Sequence, residues 1–305
     1  MLTPSAGLGV GLGAGRRITI VFNPVAGSGR QRALDRLVDL LDRDGWRITV
    51  AGTNGPGHAT DLATDAVRAG EDIIAAAGGD GTISEVVRGL RGAGTPLGIV
   101  PLGTANVLAA ELGIPRNLHT VARILAGGLP RPFHLPTANG APFLLMAGAG
   151  FDGAVVGAVT SRLKRRLGKG AFVLQGLRHL ARGGWPTMEV EIDGRARGRT
   201  QWAIITNVAR YGGAYRLAPE ADFGEPELIA VLFESASPLA LARHLLAIGA
   251  GRVAHGRGVR VLRGERVRIS SEGAAVPVQI DGDAAGALPL DLAATGDFID
   301  ILLPR

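Results

Sequence analysis

From residue 18 to residue 100 the chain alternates two hydrophobic periods. Short apolar and β-branched runs at 18–22, 47–51, 72–77 and 97–100 predict strands. The segments between them repeat at helical spacing, as Leu34, Leu37, Val38 and Leu41 do, and Gly45 stands where a C-terminal cap would end that first helix. Further helices are expected over 58–69 and 82–90 and from about Thr104, and Asn117 is placed to cap the next one. Strands regularly separated by helices predict a parallel sheet covered on both faces, whose ligands bind at the carboxyl ends of the strands.

After about Arg131 the pattern changes to short strands punctuated by Asn139-Gly140, Asp193-Gly194 and Asp281-Gly282, pairs suited to two-residue hairpin turns. A mainly antiparallel second domain is expected, interrupted by helical stretches at 168–181 and 238–248. The expected division is a flexible tail over 1–15, an α/β domain over 16–131 and the antiparallel domain over 132–292. The segment 293–305 carries a last strand, 298–303, that closes the second domain or returns to the first. No internal repeat is visible.

A chain of 305 residues with 46% hydrophobic content can fill two cores without metals or disulfides. It has no cysteine, which excludes disulfide, zinc-thiolate and cysteine-nucleophile chemistry. The first 15 residues are glycine-rich with no cation before Arg16, unlike a secretory signal, so a cytoplasmic protein is expected. No apolar run approaches the roughly 20 residues of a spanning helix, and membrane crossing is not expected. A net charge of +6 favours anionic partners, namely nucleic acid, acidic lipid or nucleotide phosphate. Aromatic residues make up only 4% and do not interleave with the basic ones, which disfavours nucleic acid.

Candidate chemistry gathers at the strand ends. Ala77-Gly78-Gly79-Asp80-Gly81-Thr82 closes an apolar strand and opens a helix, with Glu85 expected in its first turn. Glycines there let the backbone approach phosphates, and a helix N-terminus presents unpaired N–H groups. An aspartate inside such a cradle implies a magnesium ion. Pro101-Leu102-Gly103-Thr104-Ala105-Asn106 is a second such corner, where Thr104 and Asn106 can donate to phosphate or cap a helix. Asn23-Pro24-Val25-Ala26-Gly27-Ser28-Gly29-Arg30 is a third. The glycines at 7, 9, 11, 13 and 15 precede the first strand, whereas a dinucleotide loop follows it, and the P-loop pattern is absent around Lys169. The six histidines form no metal-ligand pair at helical spacing.

Taken together, Asn23-Pro24-x-x-Gly27, Gly78-Gly79-Asp80-Gly81-Thr82 with Glu85, and Pro101-Leu102-Gly103-Thr104-x-Asn106 resemble the catalytic-domain signature of the diacylglycerol kinase and sphingosine kinase family, most of all its bacterial soluble lipid kinases. Residues 147–152, the basic stretch 163–169, Asn207, 211–213, Ala218-Pro219-x-Ala221 and Ile280-Asp281-Gly282-Asp283 extend the resemblance to the C-terminus. It implies an N-terminal domain related to NAD kinases and phosphofructokinases, and a C-terminal β-sandwich whose cleft accepts a lipid. It further implies that ATP is bound by Asn23, Pro24, Val25, Ala26, Gly27, Thr53, Gly78, Gly79, Asp80, Gly81, Thr82, Glu85, Gly103, Thr104 and Asn106. Asp80 is then catalytic through magnesium, and Asp283 is the base that takes the proton of a lipid hydroxyl.

Two departures stand out. The family usually has glutamate where Asp283 stands, one methylene longer. Near a structural magnesium site it usually shows Asp-Gly-x-Leu, where this chain has Glu225-Pro226-Glu227-Leu228; Asp222, Glu225 and Glu227 are the candidate ligands. Arg162, Lys164, Arg165, Arg166 and Lys169 are candidates for anionic headgroups at the inner membrane face, or form a solvated helix face. An exposed sheet edge would suit a homodimer. The rival readings are an NAD kinase-like enzyme and a catalytically impaired lipid-binding or regulatory protein. Diacylglycerol, monoacylglycerol, a sphingoid base and phosphatidylglycerol-like lipids are all open as acceptor.

Overall fold

The computed structural model describes residues 15–24, 28–159, 170–182, 184–212, 215–253, 256–273 and 275–305. The expected tail up to residue 14, Val25, Ala26, Gly27 and the basic stretch 162–169 lie outside the described residues. The chain divides into two compact units. Unit 1 comprises Met1–Gly103, Gly113–Arg131 and Asp300–Arg305, and unit 2 comprises Thr104–Leu112 and Pro132–Ile299. The short segment Thr104–Leu112, assigned from the sequence to the first domain, thus clusters with the second.

In chain order the first elements are β1 (Arg17–Phe22), α1 (Ser28–Arg43), β2 (Arg47–Gly52), α2 (His58–Arg68), β3 (Ile73–Gly78), α3 (Asp80–Leu90), β4 (Leu97–Pro101), α4 (Val107–Glu111), α5 (Leu118–Gly127) and β5 (Leu129–His134). The six-stranded sheet runs β2-β1-β3-β4-β20-β5, where β20 is Phe298–Leu303, and β1 to β4 pair in parallel. Its inner strand β3, Ile-Ile-Ala-Ala-Ala-Gly, is buried throughout, the run expected of a parallel strand covered on both faces. Helix α1 packs with α5, and α2 with α3. The latter pair approaches closely at Gly89, where a Cβ would meet the Thr60 carbonyl at 2.5 Å.

Local signals behave as their chemistry demands. Gly45 takes φ 82°, and α1 ends with Trp46 N–H donating to Leu41 O (3.3 Å) and Gly45 N–H to Asp42 O (2.9 Å). The Asn117 side chain accepts from Thr120 N–H at 3.0 Å and caps α5. The helix expected from Thr104 begins at Val107 instead, because Asn106 holds a left-handed conformation (φ 49°).

Unit 2 adds β6 (Thr137–Ala138), β7 (Ala141–Pro142), β8 (Met146–Gly150), α6 (Phe151–Gly157), β9 (Met188–Ile192), β10 (Arg195–Thr200), β11 (Trp202–Thr206), β12 (Arg210–Tyr211), β13 (Tyr215–Arg216), β14 (Leu228–Phe233), β15 (Val259–Gly264), β16 (Arg266–Ser270), β17 (Pro277–Ile280), β18 (Asp283–Ala287) and β19 (Leu290–Ala293). Two antiparallel six-stranded sheets, β10-β9-β16-β19-β6-β7 and β15-β14-β11-β8-β17-β18, enclose one core that includes Met188, Val190 and Ile269 from the first and Ala149, Ile205 and Leu232 from the second. This is the expected sandwich. Helices Gly170–Arg182 and Pro238–Gly249 accompany it, while α6 was not anticipated. All three Asx-Gly turns have positive φ at both residues: 49° and 81° at Asn139-Gly140, 52° and 72° at Asp193-Gly194, 51° and 86° at Asp281-Gly282.

Candidate active site

The ends of β1, β3 and β4 are joined by hydrogen bonds along one rim of the unit 1 sheet. The Gly78 carbonyl, at the end of β3, accepts from Leu102 N–H (3.0 Å) and Gly103 N–H (2.9 Å), joining the second corner to the first. Asn23, just past β1, donates its backbone N–H to Ala77 O (3.2 Å) and its side-chain amide to Thr82 Oγ1 (3.3 Å), joining the third. Thr53, just past β2, donates its N–H to Phe22 O at 2.8 Å. The convergence follows from parallel topology, since every β-strand carboxyl end lies on the same side.

The glycines differ in why they are needed. A Cβ on Gly78 would meet Thr82 Oγ1 at 2.5 Å, so the fold itself requires glycine there. A Cβ on Gly79 would have Gly103 Cα as its nearest neighbour, at an ordinary 3.5 Å, and one on Gly81 would meet nothing within 4 Å. Neither position has a left-handed backbone. Packing therefore does not account for Gly79 and Gly81. A surface kept bare at a helix N-terminus suits a ligand that needs close backbone approach, and a phosphate is such a ligand.

Charge points the same way. Burial, and then the guanidinium of Arg116, depress the ionisation of Arg30 in the first turn of α1, so two cations are held near each other. Arg116 also donates to the Gly103 carbonyl at 3.1 Å. Like charges gathered beside the start of a helix favour an anion there. Asp80 is the first residue of α3 and half-exposed. Glu85, expected in the first turn of α3, falls in the second; its carboxylate accepts from Ala59 N–H (3.1 Å) and caps α2. Asn106 occupies the N-cap position of α4 without a side-chain capping bond, and Thr104 is exposed.

In unit 2, Asp283 is exposed at the first position of β18, directly after the Asp281-Gly282 turn. Two sets of bonds hold that turn. The Asp281 carboxylate accepts from Leu144 N–H (2.8 Å), Leu145 N–H (2.7 Å) and Met146 N–H (3.2 Å). Gly282 N–H donates to Gln279 Oε1 (2.8 Å), and Gln279 Nε2 donates to Asp152 Oδ2 (2.7 Å). Asp152 in turn accepts from Tyr211 O–H (2.5 Å). It is only 3% exposed, and burial pushes its carboxyl up against the opposing pull of Tyr211 and Gln279. The same burial, with the Asp152 charge, raises the Tyr211 phenol well above its ordinary value. Asp152 and Tyr211 entered the sequence reading only through motif resemblance, while Gln279 and Arg116 were missed. A lone carboxylate in the apolar run Gly150-Phe151-Asp152-Gly153-Ala154-Val155 was the available signal.

Among the described residues, no group of three or more His, Asp or Glu is arranged to hold a metal ion. Asp222 Oδ1 accepts from Gly224 N–H (2.9 Å), and Glu227 pairs with Arg263 (2.9 Å), so two of the three suggested structural ligands serve other partners. Asp80 differs, because a nucleotide-bound magnesium draws most ligands from phosphate and water and needs one or two carboxylates from the protein.

Comparison with known proteins bears on the two domains and their fold. Residues 17–138 match the diacylglycerol kinase catalytic domain, and residues 146–303 match the YegS C-terminal NAD kinase beta sandwich-like domain. The chain is 29% identical over 298 residues to a diacylglycerol kinase of Bacillus subtilis (strain 168), covering 95% of this chain and 97% of that one. It is 26% identical over 298 residues to a diacylglycerol kinase of Staphylococcus aureus (strain MRSA252), covering 95% and 93%. In fold it resembles the crystal structure of a diacylglycerol kinase from Bacillus anthracis strain Sterne, with TM-score 0.75, 21% identity, and coverage of 95% and 97%. A parallel α/β unit followed by an antiparallel sandwich is the fold that these matches describe, and the chain belongs to the family that joins a diacylglycerol kinase catalytic domain to a YegS-type C-terminal β-sandwich domain.

Proposed function

We propose that this protein is an ATP-dependent lipid kinase that transfers the terminal phosphate of ATP to a hydroxyl of a diacylglycerol-like lipid. The observation that carries the reading is the rim of unit 1, where three corners are hydrogen-bonded together and Gly79 and Gly81 lack a packing reason to be glycine. The N–H groups of Gly79 to Thr82 and the guanidiniums of Arg30 and Arg116 hold the phosphates. Asp80 is the carboxylate that would hold Mg²⁺, whose charge would offset that of the transferring phosphate. In phosphoryl transfer most of the catalysis is positioning and charge neutralisation, so a protein needs little beyond such a seat and a base.

Asp283 is that base. It accepts the proton of the lipid hydroxyl as its oxygen bonds to phosphorus, and ADP leaves with the electron pair of the broken P–O bond. The aspartate is one methylene shorter than the glutamate usual in this family, and a base must lie within about 2.6–3.2 Å of its proton. The bonds of Asp281 and Gln279 support the role by fixing the backbone that carries it. No described helix is long and apolar enough to cross a membrane. The lipid is reached at a membrane surface, with Arg162, Lys164, Arg165, Arg166 and Lys169 as the cations offered to anionic headgroups.

Radiolabelled ATP offered with a mixed lipid extract tests the reading. Label in an organic-soluble lipid is the expected result; label in NADP, or in no product, sinks it. Asp283→Asn should abolish transfer while ATP still binds, and a fully active variant would remove the base from this residue.

A further inference from the structure

Helix Pro238–Gly249 buries Ala240, Leu241, His244 and Ile248 against unit 2. At spacings of four and three residues its other side carries Leu239, Arg243 and Leu246, so these share one face. Leu239 is 82% exposed and Leu246 75%, the highest values among the large hydrophobic side chains described. A helix whose only partner is the core turns its polar residues to water, and this one turns two leucines. The helix Gly170–Arg182, which packs against it, exposes Leu177 and Arg178.

Along the sequence, the segments that carry these leucines bear charge of one sign, and the nearest acid to Arg243 in the fold is Glu234, across Gly258. Residues 235–264 contain five arginines and no aspartate or glutamate, and residues 153–188 contain seven lysines and arginines and again no acid. Arg260 and Arg263 face Glu234 (3.7 Å) and Glu227 (2.9 Å), which flank the first segment or lie beyond it. Arg243, Arg252 and Arg257 are exposed, and the Arg243 guanidinium donates to the Arg257 carbonyl at 2.8 Å. A second copy of the chain seated on this face would set these cations against their own equivalents. An anionic bilayer instead offers headgroups to the arginines and an acyl boundary to the leucines, the pairing that interfacial helices use.

We propose that the face formed by Leu239, Arg243 and Leu246, flanked by Arg252 and Arg257, docks unit 2 onto an anionic lipid bilayer. The proposal rests on the lipid-kinase reading, which puts the acceptor in a membrane, and it assigns the contact to residues other than those proposed to hold phosphate or to act as base.

The test is co-sedimentation of the full chain with phosphatidylcholine vesicles, with and without phosphatidylglycerol. The wild type should bind the phosphatidylglycerol vesicles and release from them as salt rises. Leu239→Ser with Leu246→Ser should weaken partition at least about tenfold while melting like the wild type, since neither side chain is buried. Replacing Arg243, Arg252 and Arg257 by Gln should remove the preference for phosphatidylglycerol, at about fivefold per arginine. The proposal is overturned if the wild type ignores phosphatidylglycerol, or if the leucine variant binds like the wild type while neutralising the basic stretch 162–169 abolishes binding. It is also overturned if the leucine variant turns a dimer into a monomer in light scattering with vesicle binding unchanged. None of these readouts involves phosphate transfer, so a chain that binds vesicles but labels no lipid counts against the kinase reading alone.

Discussion

Replacing Gly81 by alanine separates a glycine kept for the fold from one kept for a ligand. Gly81 is the second residue of α3, is exposed, has no left-handed backbone, and would place a Cβ with nothing within 4 Å. Alanine loses less conformational entropy than glycine on entering a helix, which stabilises by about 0.4–1 kcal/mol. For a unit of this size that raises Tm by about 1–4 °C. On the proposed phosphate-cradle reading, the same methyl group would stand where a phosphate oxygen must come to reach the backbone N–H groups. Losing one such charge-assisted hydrogen bond costs about 1.5–3 kcal/mol, which weakens ATP binding about 10- to 150-fold. Scanning calorimetry and titration calorimetry with ATP and magnesium measure the two effects on the same sample. The expected outcome is a protein that is more stable and binds worse. Gly79→Ala, whose Cβ would make only an ordinary 3.5 Å contact, should bind worse without any gain in stability, because Gly79 is the N-cap of α3 and alanine is a poorer cap, whereas Gly78→Ala, 2.5 Å from Thr82 Oγ1, should lose stability as well. If Gly79→Ala and Gly81→Ala both bind ATP as the wild type does, no phosphate approaches this helix and the cradle reading is wrong.

Two further expectations concern unit 2. Asp281→Ala removes the acceptor of three backbone N–H groups and should destabilise this unit by about 3 kcal/mol, seen as a lower urea midpoint. Because the same turn carries Asp283, phosphate transfer should fall more than ATP binding does; equal losses would mean that the bonds serve stability alone. Burial raises Asp152 above the usual 3.8, so the folded state binds its proton more readily than the unfolded chain. The stabilisation from this group is therefore complete below about pH 4 and is lost as pH rises through the raised folded value. Asp152→Asn removes that loss, so its stability relative to the wild type should improve as pH rises over this range; parallel urea-midpoint curves would refute the assignment.

Sequence pattern revealed what was decided locally. Asx-Gly pairs at 139, 193 and 281 became hairpin turns because only such residues accept two successive positive φ values cheaply, and Gly45 ended α1 for the same reason. Helix starts were less legible. Asn106 adopts φ 49° and delays α4 to Val107, a conformation that nothing in Gly-Thr-Ala-Asn announces. Helix α6 spans seven residues and includes two glycines, too short and too weak a pattern for periodicity to detect. Glu85 looked like a first-turn acid of its own helix, yet its carboxylate caps α2, a partner 26 residues away.

The same division runs through the site. The convergence of the corners was legible because each carries its own signal, an apolar strand followed by glycines, and parallel topology then brings the corners to one side without further instruction. The support beneath Asp283 was not legible, because it depends on pairs that only the folded chain creates. Tyr211 lies 59 residues from Asp152, and Gln279 lies 127 from it. Each of the three is unremarkable in its own segment. Once assembled they form a single relay, in which the acceptor needs of Asp152 orient the Gln279 amide and leave its oxygen facing Gly282 N–H. An asparagine at 152 keeps only one of the two acceptor oxygens, so it can accept from Tyr211 O–H or from the Gln279 NH₂ but not from both. The carboxylate is thus kept in an apolar interior, despite its desolvation, by the direction it imposes on its neighbours.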